Sequence, residues 1–438
     1  MFFDERKLFA LDKKTARECK IYAMLNGERK KDKLSFHTPG HKIVGYDITE
    51  LDFSDNLSCP NGCILQTQQD VAKLLGADKS FLLTDGSTSG VLAMLYAAKS
   101  AGVGRLAVHY SSHKSVFNGC KLLGLQPVVF GKRTLGNIPV PPTRDEMNDC
   151  LLQADALFLT SPTYYGDIAD LAFARQLCDK QNKLLLVDGA HGGHLHFDKE
   201  KHAGSFADMW VDGVHKSLPA LTQGSVVSAK NERLSALLRE GVDVFRTTSP
   251  SYPIMASIEF AVKFPRNERL EKQVDRFKKQ YPAQLYQNQD YTKLCALVGR
   301  QGERIKNSLQ KQGIYAEFFD GKILMFYLSP ATKQRDFAKL QKALIKEFLN
   351  LPMLEEEHEK SIQQRPAPYL LGNEGREWVA VEQAIGRICA KPFGLFPPCI
   401  ALALDGERIE ECAIERLRKG DNVFGVENGK VLVYQTRE

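Results

Sequence analysis

Two short stretches hold residues able to do covalent chemistry. Asp212-Gly213-Val214-His215-Lys216-Ser217 places a lysine just after an apolar run, Met209-Trp210-Val211. Val187-Asp188-Gly189-Ala190-His191-Gly192 places a carboxylate at the end of another, Leu184-Leu185-Leu186-Val187. Lys216 is followed by a further apolar stretch, Leu218-Pro219-Ala220-Leu221. An amine in apolar surroundings loses basicity and becomes a better nucleophile. Taken singly, the lysine reads as a surface residue and the aspartate as a turn cap. Taken together and in this order, a lysine that can form a Schiff base and an aspartate that can keep a pyridine nitrogen protonated are the minimal machinery of pyridoxal phosphate (PLP) chemistry.

Upstream, Thr84-Asp85-Gly86-Ser87-Thr88-Ser89-Gly90 lies between a strand pattern, Phe81 to Thr84, and a helical one, Val91 to Ala98. Glycine lets the backbone curl, hydroxyls donate, and a helix amino end favours an anion. Gly86, Ser87 and Thr88 therefore form a candidate phosphate cradle, although the same residue types also serve as plain helix caps. His113, in Ser111-Ser112-His113-Lys114-Ser115, follows the next apolar run, where an imidazole can stack on a pyridine ring; alone it reads as a loop histidine. His191, His194 and His196 do not have the usual zinc spacing and no cysteine completes them, so no metal is expected. Cys59 and Cys63 likewise lack a second pair nearby.

The elements that must position these residues are short runs apolar on both faces. They are Phe81–Thr84, Arg105–Val108, Pro127–Phe130, Ala156–Leu159, Leu184–Val187, Met209–Val211 and Ser225–Val227. Alternating with helical patterns, they predict an α/β large domain with a mainly parallel sheet covered on both sides. In such sheets ligands sit at the carboxyl ends of the strands. A polar helical stretch over 267–286 leads out of this domain. Lys293–Leu297 and Ile323–Leu328 read as strands of a smaller α/β domain, and 336–350 as a helix with Phe337, Leu340, Ala343, Leu344 and Phe348 on one face. Glu355 to Gln364 reads as a connector, and Phe396-Pro397-Pro398-Cys399-Ile400 as a stiff extended piece. The expected organisation is an N-terminal helical segment, 1–30, a cofactor-binding large domain, 31–288, and a small domain, 289–438.

The chain has 438 residues, 43% hydrophobic and 26% charged, as befits a globular protein of two or three domains. Its 59 basic residues are offset by 53 acidic ones, a mixed surface that argues against a nucleic-acid footprint. Basic runs such as Arg29-Lys30-Lys31 and Lys278-Lys279 read as solvated helix faces. No apolar run is long enough to span a bilayer, and charges occupy the start where a secretory signal needs its apolar core. A cytoplasmic protein is expected, its ten cysteines free and mostly buried.

Several further motifs occur in order: Ser35-Phe36-His37-Thr38-Pro39-Gly40-His41-Lys42, Asp55-Asn56-Leu57, Ser161-Pro162-Thr163-Tyr164-Tyr165-Gly166, Thr247-Thr248-Ser249-Pro250-Ser251-Tyr252 and Asp290-Tyr291-Thr292-Lys293-Leu294. With these, the chain from about Ser35 onward resembles the ornithine/lysine/arginine decarboxylases, PLP enzymes of fold type I, in the short form without an extra N-terminal domain. The resemblance implies an aspartate aminotransferase-like large domain with a seven-stranded sheet. It implies that Lys216 carries PLP covalently, that His215 sits beside it, and that Asp188 pairs with the ring nitrogen. His113 would stack on one ring face and Ala190 pack on the other, with His191 in the cofactor site. Gly86, Ser87 and Thr88 would hold the phosphate, and Thr248 or Ser249 would reach the phosphate of a neighbouring subunit in a homodimer or tetramer. The implied reaction is decarboxylation of lysine, arginine or ornithine to an amine and carbon dioxide, with no nucleic-acid or membrane partner. Three departures stand out. Gly213-Val214 replaces a Ser-Thr pair frequent in that family, so one hydroxyl contact to the phosphate is missing; Cys399 ends a Pro-Pro-Gly pattern, and Asp405-Gly406-Glu407 replaces Pro-Gly-Glu. Two alternatives remain open: an aminotransferase or other PLP lyase, for which Arg387 is an available carboxylate partner, and a regulatory homologue that has lost activity.

Overall fold

The computed structural model describes residues 6–29, 34–42, 45–351, 359–361, 375–396, 399–418 and 422–435. Seven strands form the main sheet: β1 (Lys79–Leu83), β2 (Arg105–His109), β3 (Gln126–Phe130), β4 (Ala156–Thr160), β5 (Leu184–Gly189), β6 (Met209–Asp212) and β7 (Ser225–Ala229). Their order across the sheet is β1-β7-β6-β5-β4-β2-β3. The pairs β2–β3, β2–β4 and β5–β6 are parallel. β7 runs antiparallel to both neighbours, with Ser225 opposite Leu83 and Val226 opposite Asp212. This is the α/β, mainly parallel architecture that the apolar runs predict. Among the described residues no helix is long and apolar enough to cross a membrane.

The chain divides into two compact units. One comprises Met1–Val103, Asp170–Gln273 and Leu328–Gln334; the other comprises Gly104–Ala169, Val274–Tyr327 and Arg335–Glu438. In the first unit three helices, Arg6–Phe9, Lys13–Glu18 and Lys20–Arg29, make up the N-terminal segment. The first two backbone N–H groups of the third, Lys20 and Ile21, donate to the carboxylate of Glu259, which is fully buried in helix 252–263. Helix α1 (Ser87–Ser100) follows β1 and begins four residues before its apolar periodicity does, because its first turn is all polar or small. It lies tightly on the sheet through Gly90. A Cβ there would meet Val211 Cγ2 at 2.7 Å and Leu83 Cδ1 at 2.9 Å. The amino end of α1 is thus set at the carboxyl ends of β1 and β6.

In the second unit, α2 (Lys114–Leu123) follows β2. Strands β8 (Lys293–Leu297), β9 (Phe318–Phe319) and β10 (Ile323–Tyr327) form an antiparallel sheet in the order β8-β10-β9. Helix 334–348 buries the five apolar residues expected of it. The preceding polar helix is shorter than its sequence pattern. It spans Glu268–Gln280 and stops just before Tyr281-Pro282, where proline disfavours helical backbone.

Three expectations need correction here. Lys278 is not on a solvated face. It is 3% exposed, and its Nζ donates to Asn288 Oδ1 at 2.6 Å and to the Asp290 carbonyl at 2.9 Å. Its head finds acceptors, so burial is tolerated. The connector contains a short strand, Glu359–Ser361, paired antiparallel with Arg133–Leu135; its remaining residues lie outside those described. Cys399 is not extended but left-handed, with φ 62°, a conformation that favours glycine. Pro397, Pro398, Lys30 and Lys31 also lie outside the described residues. Of the ten cysteines, all free, only Cys59 and Cys412 are exposed.

Gly90→Ala should lower stability by about 1–3 kcal/mol, because the added methyl has to displace Val211 or Leu83. Urea unfolding at pH 7 measures this directly. An unchanged midpoint would mean that α1 is not seated by this contact.

Candidate active site

Asp188 and Lys216 come from neighbouring parallel strands. Asp188 stands opposite Val211, and Gly189 opposite Asp212, so β5 and β6 end at the same edge. A four-residue helix, α3 (Val214–Ser217), follows immediately and carries His215 and Lys216. Lys216 Nζ lies 3.3 Å from His191 Nε2. The sequence-predicted Asp188, Ala190, His191, His215 and Lys216 therefore occupy one strand-end cluster.

Asp188 is 3% exposed. Its Oδ1 accepts the Ala190 N–H at 3.0 Å, a short turn that also fixes Ala190. Burial raises the Asp188 pKa above the usual carboxylate range. The Ala190 N–H and the Lys216 charge pull it down, while Asp212 pushes it up. A cationic N–H at Oδ2 would offset the burial, and a protonated pyridine supplies one.

His215 is anchored twice to one carbonyl. Gly224 O accepts the His215 N–H at 3.1 Å and lies 2.9 Å from His215 Nδ1. A carbonyl only accepts, so Nδ1 carries the hydrogen and the neutral ring presents Nε2 as an acceptor. Burial lowers this imidazole's pKa, the Gly224 carbonyl opposes that shift, and Lys216 adds to it. His215 thus favours the neutral form.

The candidate phosphate loop, Gly86 to Thr88, leads into the amino end of α1. Gly86 takes φ 88°, closed to other residues without strain, and caps α1 without a side chain. The first N–H groups of a helix have no acceptor within it, so Ser87 and Thr88 present theirs at its open end. Thr84 Oγ1 is buried without a hydrogen-bond partner beside this loop. These features, with Asp188, fit a phosphate-bearing pyridine cofactor. Asp85 ties a second segment here: its Oδ1 accepts the Ser89 hydroxyl at 2.8 Å and its Oδ2 the Thr247 N–H at 2.9 Å. Thr248 and Ser249 follow and are exposed.

His113 belongs to the second unit. It caps α2, with Nδ1 2.8 Å from Ser115 Oγ. His194 and His196 flank the cluster from a 3-10 turn, and the His196 ring meets the Gly193 carbonyl at 2.7 Å. Beneath them Asp212 Oδ2 accepts from Trp210 Nε1 at 3.0 Å and lies 3.2 Å from His202 Nε2. Among the described residues no group of three or more such side chains is placed to hold a metal. Arg387 donates to Glu377 at 2.5 Å and to the Tyr434 carbonyl at 3.0 Å.

Sequence reasoning missed Gln223, Gly224 and Ser225. Gln223 O accepts the Gly86 N–H at 3.0 Å, and Ser225 Oγ lies 3.0 Å from Ser87 Oγ. The apolar run that begins at Ser225 was legible, but not its antiparallel direction. That direction puts its first residues, rather than its last, at the site.

Comparisons with known proteins bear on the family and the fold. The family described as "Orn/Lys/Arg decarboxylase, major domain" matches residues 35–281. An "Uncharacterized protein YaaO" of Bacillus subtilis (strain 168) is 28% identical over 449 residues, covering 91% of this chain and 93% of that protein. The arginine decarboxylase of the same organism is 25% identical over 450 residues, covering 90% and 92%. The structure of the Escherichia coli constitutive lysine decarboxylase superposes with a TM-score of 0.72 at 19% identity, covering 95% of this chain and 82% of that one. The chain belongs to the Orn/Lys/Arg decarboxylase family and is a PLP-dependent amino-acid decarboxylase.

Proposed function

We propose that this decarboxylase acts on a basic L-amino acid, arginine before lysine or ornithine, and releases carbon dioxide and the corresponding amine. The observation that carries the reading is the pairing of a buried Asp188 with Lys216 at adjacent strand ends, the amine 3.3 Å from His191. Arginine comes first because the arginine decarboxylase of Bacillus subtilis matches along nearly the whole chain.

Bound PLP withdraws electrons from the substrate α-carbon, so that its bond to the carboxylate can break. The protein's residues serve that chemistry as follows. Lys216 would hold the cofactor covalently through its Nζ. His191 accepts or returns a proton at Lys216 Nζ. Asp188 would stay anionic and face the ring nitrogen, and Ala190 would pack against the ring. Gly86, Ser87 and Thr88 hold the phosphate. His215, neutral and donating through Nδ1 to Gly224, offers Nε2 as an acceptor. The proton that replaces carbon dioxide at the α-carbon therefore comes from Lys216 rather than from His215. In a homodimer or tetramer Thr248 or Ser249 reaches the partner's phosphate. Residues 31–288 act as the cofactor-binding domain and 289–438 as the small domain.

The aminotransferase alternative needs an arginine for the substrate carboxylate. Arg387 is already engaged by Glu377 and Tyr434, which weighs against it.

Carbon dioxide release from arginine, lysine and ornithine, each incubated separately with PLP, tests the reading. Release is expected from one of them and should vanish in Lys216→Ala. Release that persists in the variant, or a keto-acid product instead, would overturn it. Asp188→Ala should retain cofactor absorbance yet slow turnover by about 100-fold or more, since a preorganised charge is removed where charge develops. An unchanged rate would mean that another group faces the ring nitrogen.

A further inference from the structure

We propose that Ser225 is a positioning residue for the phosphate end of the cofactor, acting through Ser87, and that the bare Gly213 makes room for this pair. The inference rests on the placement of PLP in the strand-end cluster described above.

Ser225 opens β7, is fully buried, and lies 3.0 Å from Ser87 Oγ. Ser87 is the first residue of α1, whose cap, Gly86, has no side chain to offer. Two hydroxyls in contact share one donor direction between them: one donates and the other accepts. A phosphate dianion only accepts. With phosphate at the amino end of α1, the pair settles one way, Ser225 donating to Ser87 and Ser87 donating to the phosphate. Ser225 thus orients the Ser87 hydrogen without touching the ligand.

Gly213 completes the arrangement. A Cβ at this position would lie 3.0 Å from Ser87 Oγ and 2.1 Å from the Ala190 carbonyl oxygen. A hydroxyl-bearing residue immediately before Val214 is therefore excluded by backbone, and a hydroxyl beside Ser87 is supplied from β7. The two residues before Ser225 share the task. Gln223 O holds the Gly86 N–H, and Gly224 O holds both His215 N and His215 Nδ1. Three consecutive residues fasten the phosphate loop and the residue next to Lys216 to the same piece of chain. They fix the span from phosphate anchor to reactive amine.

An internal control exists further along β7. Ser80 and Ser228 form another buried hydroxyl pair between β1 and β7, at 2.7 Å, on the far side from the loop.

The experiment titrates the cofactor-stripped full-length protein with PLP and, separately, with pyridoxal. Visible absorbance of the lysine-bound cofactor and the phosphorus NMR shift of bound PLP are followed. Ser225→Ala should weaken PLP about 3- to 10-fold, the range of one net hydrogen bond. It should also move the phosphorus resonance and leave pyridoxal binding unchanged. Ser225→Thr should recover most of the loss, and Ser228→Ala should match the native protein. Unchanged PLP affinity in Ser225→Ala would overturn the proposal. So would an equal loss for pyridoxal, or an equal loss in Ser228→Ala, since either outcome reports general loosening. If the native protein takes up neither compound, the placement of the cofactor itself falls.

Discussion

The parallel pairing of β5 with β6 is the constraint on which the site depends. Neighbouring strands stand about 4.8 Å apart. Because Asp188 and Val211 are in register, the chain leaves both strands at one edge and one level. A carboxylate buried there is costly unless cationic or N–H partners surround it. Ala190 provides one through its backbone and Lys216 lies close enough to act electrostatically. The same edge that creates the problem of a buried charge therefore supplies its solution and the reactive amine. Helix α1, pressed onto β1 and β6 through Gly90, brings its positive end to that edge. Anion, cation and helix terminus are consequences of one sheet register.

Much of this was legible in the sequence, for a physical reason. Strands covered on both faces have to be apolar throughout, and a run such as Leu184 to Val187 broken by Asp188-Gly189 announces both the strand and its end. Lys216 and Asp188 were legible because charged residues at the ends of apolar runs are expensive unless used. The turn at Gly86 was legible because only glycine takes such a backbone conformation without strain. Lys278 was misread because its pattern is that of a polar helix; the acceptors that bury it, Asn288 and Asp290, come from a later segment. Gly213-Val214 looked like a loss of a phosphate contact. Only three-dimensional proximity shows that a side chain at 213 would collide with Ala190. Ser225 was invisible as a site residue, since strand direction is set by pairing partners and not by the strand's own residues.

The engagement of His215 by Gly224 also shapes the division of labour. A ring whose hydrogen is committed to a carbonyl is fixed in tautomer and orientation, a role that histidines beside reactive groups commonly need. The free nitrogen is then directional. His191, by contrast, approaches Lys216 through Nε2.

The double hold of Gly224 on His215 has one more consequence, for what changes of length this protein can accept. The chain leaves His215, passes Lys216, runs through Leu218–Thr222 and returns to the same carbonyl, closing a circuit. The circuit is also pinned midway, where the Leu221 N–H donates to Ser257 Oγ at 3.0 Å. At its far end Gln223 stands left-handed at φ 78°, already at the limit of the turn available to a non-glycine residue. Side chains on the exposed part, such as Thr222, can vary freely. A residue inserted or deleted anywhere in the circuit cannot be absorbed by slippage, because both ends are fastened to one point. At its exposed positions the circuit is free in composition, but nowhere in length.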